Sequence, residues 1–135
     1  MVYAASGINE GNSAMNDKNY IPGLVQALLT AIDHQDWESL SKLLSADTIY
    51  EVSGFPRFEE KSAVMDYYEN TRPIKSGIHT IESIITDGDR GVCCGHFVGV
   101  KKDGESVDLL FADEISFENL KIKTYRKVIR NAVFY

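Results

Sequence analysis

Apolar residues recur at helical spacing in three places along the first half of the chain. Between positions 21 and 32 they stand at 21, 24, 25, 28, 29 and 32, which is the spacing of an amphipathic helix. The run "DWESLSKLL" predicts a second helix that Asp36 caps and that buries its tryptophan and leucines. The run "KSAVMDYYEN" predicts a third helix, which Pro73 helps to end.

The remaining pattern is typical of β-strands. A short strand, "DTIYEVSG", lies between the second and third helices, and four strands follow the third: "GIHTIESIIT", "GVCCGHFVGV", "VDLLFADEISF" and "KIKTYRKVIRNAVF". Turn-forming residues at "DGDR" and "KKDGES" join strands as hairpins. The order of elements therefore predicts an α+β fold, in which three N-terminal helices pack on a curved antiparallel sheet and enclose a pocket.

The strand "VDLLFADEISF", residues 107–117, carries a carboxylate on its more apolar face. Alternate residues of a strand share a face, so Asp113 lies with Leu109, Phe111 and Ile115. We expect this face to point into the pocket, with Asp113 in the middle of an apolar wall.

The register of the preceding hairpin predicts the neighbours of Asp113. The Asp-Gly pair in "KKDGES" favours a two-residue loop, and that register sets Cys94 opposite Asp113 and His96 opposite Phe111. His96 and Asp113 would then lie diagonally on one wall, within reach of each other or of a shared ligand. The inward residues of the preceding strand would be Val92, Cys94, His96, Val98 and Val100.

A carboxyl group on an apolar wall suits acid chemistry. Burial disfavours its charged form, so we expect Asp113 to hold a proton and to donate a hydrogen bond to a developing oxyanion. His96 would orient this acid or relay its proton. A structural alternative stays open for both residues, because an inward Asp can bond a backbone amide and an inward His can be a satisfied core residue.

Length and composition narrow the class of protein. The chain has 135 residues, which fit one domain, predicted at 20–135 after a flexible tail at 1–19. The net charge of −6 argues against binding nucleic acid or an anionic membrane surface. Neighbouring strand residues point to opposite faces, so we expect Cys93 and Cys94 to be free thiols and the protein to be cytoplasmic.

Three stretches carry a resemblance to a known family: "LLTAIDHQDWESLSKLLSADTIYEVSG", "KSAVMDYYEN" and "ADEISFEN". With the order of elements, they resemble the NTF2-like superfamily, specifically its SnoaL-like and ketosteroid-isomerase-like enzymes, over about residues 21–129. The resemblance implies a cone-shaped α+β fold and a homodimer.

The resemblance also implies site residues. Glu51 falls where the isomerases place their general base, and Asp113 falls where they place the protonated acid, a carboxyl pair taken over from ketosteroid isomerase by position. The isomerases hold a second donor, a tyrosine, where this chain has Leu28, so Tyr125 or His96 would have to replace it. His96 also makes the site similar to that of SnoaL-type cyclases.

The sequence thus predicts a cofactor-independent isomerase or cyclase that uses general acid–base chemistry. Its substrate would be an apolar carbonyl- or epoxide-bearing small molecule, such as a polyketide, terpenoid or steroid-like compound. The catalytic residues would be Glu51, Asp113 and His96. The predicted substrate-binding residues are Phe111, Leu109, Val98, Ile115, Tyr125, Leu28 and Phe55.

Two other activities and one non-enzymatic role stay open. A lyase or an epoxide hydrolase could use the same acids, although the Arg and Asp pattern of limonene-epoxide-hydrolase relatives is not found. The alternative is a non-catalytic NTF2-like module for ligand binding or dimerisation. We expect no metal site, because no His or Cys pair shows ligand spacing.

Overall fold

The computed structural model describes residues 20–132; the tail predicted at 1–19 and residues 133–135 lie outside the described residues. The helices are α1 (Tyr20–His34), α2 (Trp37–Leu43) and α3 (Lys61–Asp66), and α3 continues as a π-helical turn (Tyr67–Thr71). The strands are β1 (Leu44–Val52), β2 (Phe58–Glu59), β3 (Ile74–Asp87), β4 (Arg90–Lys101), β5 (Ser106–Glu118) and β6 (Lys121–Asn131). The predicted order is confirmed, with the short β2 in addition.

The helices form where the apolar pattern predicted them. Asp36 caps α2 as expected, because its carboxylate accepts hydrogen bonds from the backbone N–H of Ser39 at 3.1 Å and from its hydroxyl at 2.7 Å. The π-helical turn after α3 brings two consecutive tyrosines, Tyr67 and Tyr68, into the core. The face of α1 that packs on the sheet consists of Ile21, Val25, Leu28, Leu29, Ala31 and Ile32.

The six strands form one sheet in the order β2-β1-β6-β5-β4-β3. Strands β3 to β6 pair in antiparallel fashion, but β1 pairs with β6 in parallel, so the sheet is mixed rather than wholly antiparallel. The parallel pair arises because the chain crosses through α3 and the β3–β5 meander before it returns beside β1. The predicted class, α+β with N-terminal helices on a sheet, is confirmed.

The turn between β4 and β5 has three residues instead of the predicted two. The backbone N–H of Lys101 donates to the Glu105 carbonyl at 2.8 Å, and the N–H of Gly104 donates to the Lys101 carbonyl at 2.9 Å. Gly104 takes the left-handed conformation, with φ of 93°, that closes such a loop. Pairing therefore shifts by one residue, and Cys93 stands opposite Asp113.

This shift makes the predicted inward face of β4 wrong. His96 lies on the outer face of the sheet, where its Nε2 contacts the Asp108 carboxylate, and Val98 is 54% exposed. Cys93 is buried, Cys94 is only half-buried on the outer face, and both are free thiols, as predicted. The outward residues of β4 are Val92, Cys94, His96, Val98 and Val100.

Glycines occupy three of the inward positions of β4, which are Gly91, Cys93, Gly95, Phe97 and Gly99. Gly95 pairs with Phe111, and a Cβ built on Gly95 would lie 2.9 Å from that ring and 2.1 Å from the Thr80 carbonyl oxygen. The missing side chain therefore lets the phenyl ring lie against the sheet. The predicted two-residue turn had placed the valines of β4, rather than these glycines, on the buried side.

We expect Gly95→Ala to destabilise the fold by about 1–3 kcal/mol, because the added methyl group must displace the Phe111 ring or the sheet backbone. Gly23→Ala, at an exposed position of α1 with nothing near its Cβ, is the matched control and should stabilise the fold by about 0.5–1 kcal/mol. Urea unfolding of both variants measures the difference. Equal effects would contradict this account of the β4 face.

Candidate active site

A cavity of about 90 Å³ lies between the inner face of the sheet and the end of α3. Its wall is mainly aromatic and aliphatic, with side chains that include Tyr50, Tyr67, Tyr68, Phe97, Leu109 and Phe111. Polar groups enter this wall at a few places only, from Ser53, Arg72, His79 and Lys127. An apolar cavity with few convergent polar groups is the usual form of a small-molecule site.

Asp33 holds His79 at two points. His79 lies on β3, an edge strand, and its backbone N–H donates to Asp33 Oδ2 at 2.8 Å. Its ring Nδ1 lies 2.6 Å from Asp33 Oδ1. A carboxylate only accepts hydrogen bonds, so Nδ1 carries the proton and Nε2 keeps its lone pair. The last turn of α1 thereby fixes both the position and the tautomer of the imidazole.

Burial, the largest cause, lowers the pKa of His79 below its ordinary value; the hydrogen bond with Asp33 opposes this shift, and the Lys127 ammonium group adds to it. The His79 side chain is only 2% exposed. Its ring lies between Phe97 and Phe111, with centroid distances of 4.6 and 5.1 Å. The imidazole is therefore neutral at pH 7 and shielded from water, as a general base needs to be.

Lys127 forms a buried ion pair with Asp113. Its Nζ lies 2.9 Å from Asp113 Oδ1 and donates a hydrogen bond to Oδ2 at 3.1 Å; the Oδ1 contact is electrostatic, since its angle does not suit a hydrogen bond. The Tyr125 hydroxyl also donates to Oδ2, at 3.2 Å. The same Nζ lies 4.3 Å above the Phe111 ring, a cation–π contact. Asp113 is fully buried, and the Lys127 side chain is 10% exposed.

These groups form one connected set, because Lys127 Nζ also lies 3.5 Å from His79 Nε2. We call Asp33, His79, Lys127, Asp113 and Tyr125 the polar chain. An ammonium group only donates, so this contact agrees with an unprotonated Nε2. The polar chain thus places a base, His79 Nε2, next to a cation, Lys127 Nζ, and both residues line the cavity.

Two of the three predicted catalytic residues, Glu51 and His96, do not face the cavity. Glu51 lies on the outer face of the sheet, because its neighbours Tyr50 and Val52 point inward. Its carboxylate accepts from Arg126 Nε at 2.9 Å and from Arg57 Nε at 3.2 Å, and these hydrogen bonds lower the pKa of Glu51. A carboxylate so paired is a weak base.

His96 also lies on the outer face, one residue out of the predicted register. Asp113 faces inward as predicted, but its carboxyl group contacts Lys127 Nζ at 2.9 Å and is fully buried behind that side chain. Lys127 rather than Asp113 reaches the cavity wall. The predicted trio of Glu51, Asp113 and His96 therefore does not meet in one pocket.

The predicted substrate-binding residues divide into three groups. Phe55, Leu109 and Phe111 line the cavity. Leu28, Ile115 and Tyr125 are buried in the core and are not among the cavity-lining residues. Val98 is exposed on the outer face, because the register of β4 differs from the prediction.

Sequence reasoning missed His79 and Lys127. A signal for Lys127 was present, since it alternates with Tyr125 and Ile129 on β6. β6 is a central strand, between β1 and β5, so one face of it is covered by the helices. His79 had no local signal, because its partner Asp33 is 46 residues away in the chain.

Within residues 20–132, no cluster of three or more His, Cys, Asp or Glu side chains has the arrangement of a metal site. Over the same residues, no helix has the length and apolar character that crossing a membrane requires.

Comparison with known proteins identifies a family for most of the chain. A family model described as a SnoaL-like domain matches residues 25–125, which is most of the chain. Among curated proteins, none matches the chain.

Solved structures share the fold at low sequence identity. An LEH-like epoxide hydrolase from M. tuberculosis is 18% identical, with a TM-score of 0.70 and coverage of 79% of this chain and 80% of that one. A protein of ketosteroid isomerase-like fold from Catenulispora acidiphila, in complex with trimethylamine, is 17% identical, with a TM-score of 0.71 and coverage of 78% and 84%. A putative SnoaL-like polyketide cyclase from Shewanella denitrificans is 12% identical, with a TM-score of 0.70 and coverage of 81% and 89%.

We expect Lys127→Met and Asp113→Leu each to destabilise the fold by about 3–5 kcal/mol, because each leaves an unpaired buried charge. The double variant should be more stable than either single variant, since it leaves no charge behind. Urea unfolding of the three proteins measures this coupling. Additive losses in the double variant would show that the two side chains do not form a buried ion pair.

Proposed function

Since the chain belongs to the SnoaL-like domain family and has the NTF2-like fold, we propose that it is an isomerase or cyclase that uses general acid–base catalysis. Its substrate is an apolar small molecule with a carbonyl group. The observation that carries this proposal is His79: a neutral imidazole whose proton is held on Nδ1 by Asp33, with Nε2 at a cavity wall beside an ammonium group.

His79 acts as the base in this proposal. Nε2 takes a proton from the carbon next to the substrate carbonyl, and the electron pair left behind moves onto the carbonyl oxygen. Asp33 stabilises the imidazolium that forms, because its carboxylate already bonds the opposite ring nitrogen at 2.6 Å. The lowered pKa of His79 keeps the base free of protons near neutral pH.

Lys127 stabilises the oxyanion. Its ammonium lies 3.5 Å from Nε2, so a substrate whose proton meets Nε2 can set its oxygen near Nζ. In an isomerisation, Nε2 then returns the proton to another carbon of the same molecule. In a cyclisation, the enolate carbon attacks a second carbonyl group of the same molecule, and the resulting alkoxide takes the proton from Nε2.

A second candidate is a non-catalytic module for ligand binding or dimerisation. It is favoured by the outer face of the sheet, which exposes five large apolar side chains, Ile78, Ile85, Val92, Val98 and Val128. Ile78 pairs with Val98 and Ile85 with Val92, so they form part of one surface. The homodimer stays a prediction, and this surface would form its interface.

Proton abstraction can be measured without knowing the natural substrate. Small apolar ketones in deuterated water exchange their α-protons when a base acts on them, and proton NMR follows the loss of signal. We expect the protein to accelerate this exchange and His79→Gln to lower the catalysed rate about 100-fold or more. The rate should fall as pH drops through the lowered pKa of His79, because protonation removes the base.

His96→Gln and Glu51→Gln are the matched controls, because both residues lie on the outer face of the sheet, away from the cavity. Neither should change the exchange rate. The proposal is wrong if no ketone of the panel exchanges faster than in buffer, or if His79→Gln keeps the full rate.

A further inference from the structure

Arg72 lies at the wall of the cavity, close to two aromatic rings. It follows the π-helical turn directly, and its backbone N–H donates to the Tyr67 carbonyl at 2.7 Å, which fixes where its side chain begins. The guanidinium carbon lies 5.7 Å from the ring centres of both Tyr68 and Phe97. Two aromatic rings of the cavity thus hold this half-buried cation.

The Arg72 guanidinium group has no carboxylate partner within the described part of the chain. Its contacts there are the two rings, and no side-chain hydrogen bond or ion pair among the described residues involves it. By contrast, Arg57, Arg90 and Arg126 each contact a glutamate on the outer face. Within residues 20–132, the five N–H donors of the Arg72 fork therefore have no acceptor, and a ligand can supply one.

The other polar groups of the wall point to the same kind of ligand. Among the described residues that line the cavity, Arg72 and Lys127 are the charged ones, and both are cations. The Tyr68 hydroxyl is buried without a hydrogen-bond partner among residues 20–132. Tyr68 is 4% exposed and lines the cavity, and Arg72 lies over its ring. Two cations and a buried hydroxyl in one apolar wall together favour an anionic ligand that accepts hydrogen bonds.

We propose that the substrate is an apolar carboxylic acid, whose carboxylate is bound by the guanidinium group of Arg72 and by the Tyr68 hydroxyl. This inference rests on the proposed function for the identity of the reacting site, but its binding step does not require catalysis. The apolar part of the acid lies against the aromatic wall, and its carbonyl reaches Lys127.

A neighbouring groove gives room for acids that are longer than the cavity. An open groove of about 470 Å³ shares four lining residues with the cavity: Pro73, Ile74, Leu109 and Ile129. An acid longer than the cavity can therefore extend into this groove along an apolar path. A series from butanoate to octanoate covers both spaces.

The test compares each acid with its uncharged amide, which has nearly the same shape. Binding is measured by isothermal titration calorimetry and by amide chemical shifts of the cavity strands. For the best acid of the series, we expect the wild-type protein to bind the acid at least 10-fold more tightly than the amide. Arg72→Gln should abolish this preference, and Arg72→Lys should keep only part of it, because an ammonium lacks the fork.

Two control variants separate this inference from the proposed function. Arg57→Gln removes an outer-face arginine and should leave the preference for acids unchanged. His79→Gln should also bind acids with the wild-type preference, even though it loses proton exchange. Loss of catalysis with an intact preference for acids would contradict the proposed function alone. Loss of this preference with intact catalysis would contradict the present inference alone.

Three results would overturn the inference. The first is equal binding of acids and amides by the wild-type protein, which needs no variant and so does not depend on the folding of Arg72→Gln. The second is an undiminished preference in a folded Arg72→Gln protein. The third is the absence of binding by every acid of the series.

Discussion

The ion pair between Lys127 and Asp113 determines what the inner wall of this fold can do. The two residues pair directly across β5 and β6, and neither charge could stay buried alone without a large cost. Asp113, supported by the Tyr125 hydroxyl, holds the ammonium group within 4.3 Å of the Phe111 ring. The result is an ion pair whose positive end lies at the surface of an apolar cavity, where water screens it little.

The edge of the sheet supplies the second half of the site. His79 lies on β3, whose ladder with β4 is interrupted between Ile74 and Ser76 and again between Ile81 and Ser83. Bulges of this kind change the direction in which nearby side chains point. The free edge of β3 would also leave backbone groups unpaired, and Asp33 satisfies one of them while it orients the ring. One carboxylate thus connects α1 to the sheet and selects the tautomer of the base.

Much of the fold could be predicted from local pattern, and much less of the site. The helices, the Asp36 cap and the inward face of β5 follow from periodicity, which depends on a few neighbouring residues. The register of β4 failed because a three-residue turn replaced a two-residue one, which moved His96 outward. The apolar neighbours of Glu51, Tyr50 and Val52, already indicated that the Glu51 side chain points outward. The positional resemblance to ketosteroid isomerases led to the opposite prediction. Family membership fixes the fold, but it does not transfer the isomerase base to this chain.

The central claim is that His79 is a neutral base whose proton lies on Nδ1. Nitrogen-15 NMR of the imidazole at pH 7 tests this most directly, because the shifts of protonated and unprotonated ring nitrogens differ widely. The account predicts one protonated nitrogen, Nδ1, bonded to Asp33, and an unprotonated Nε2 facing Lys127. A ring protonated at Nε2, or at both nitrogens, would contradict it.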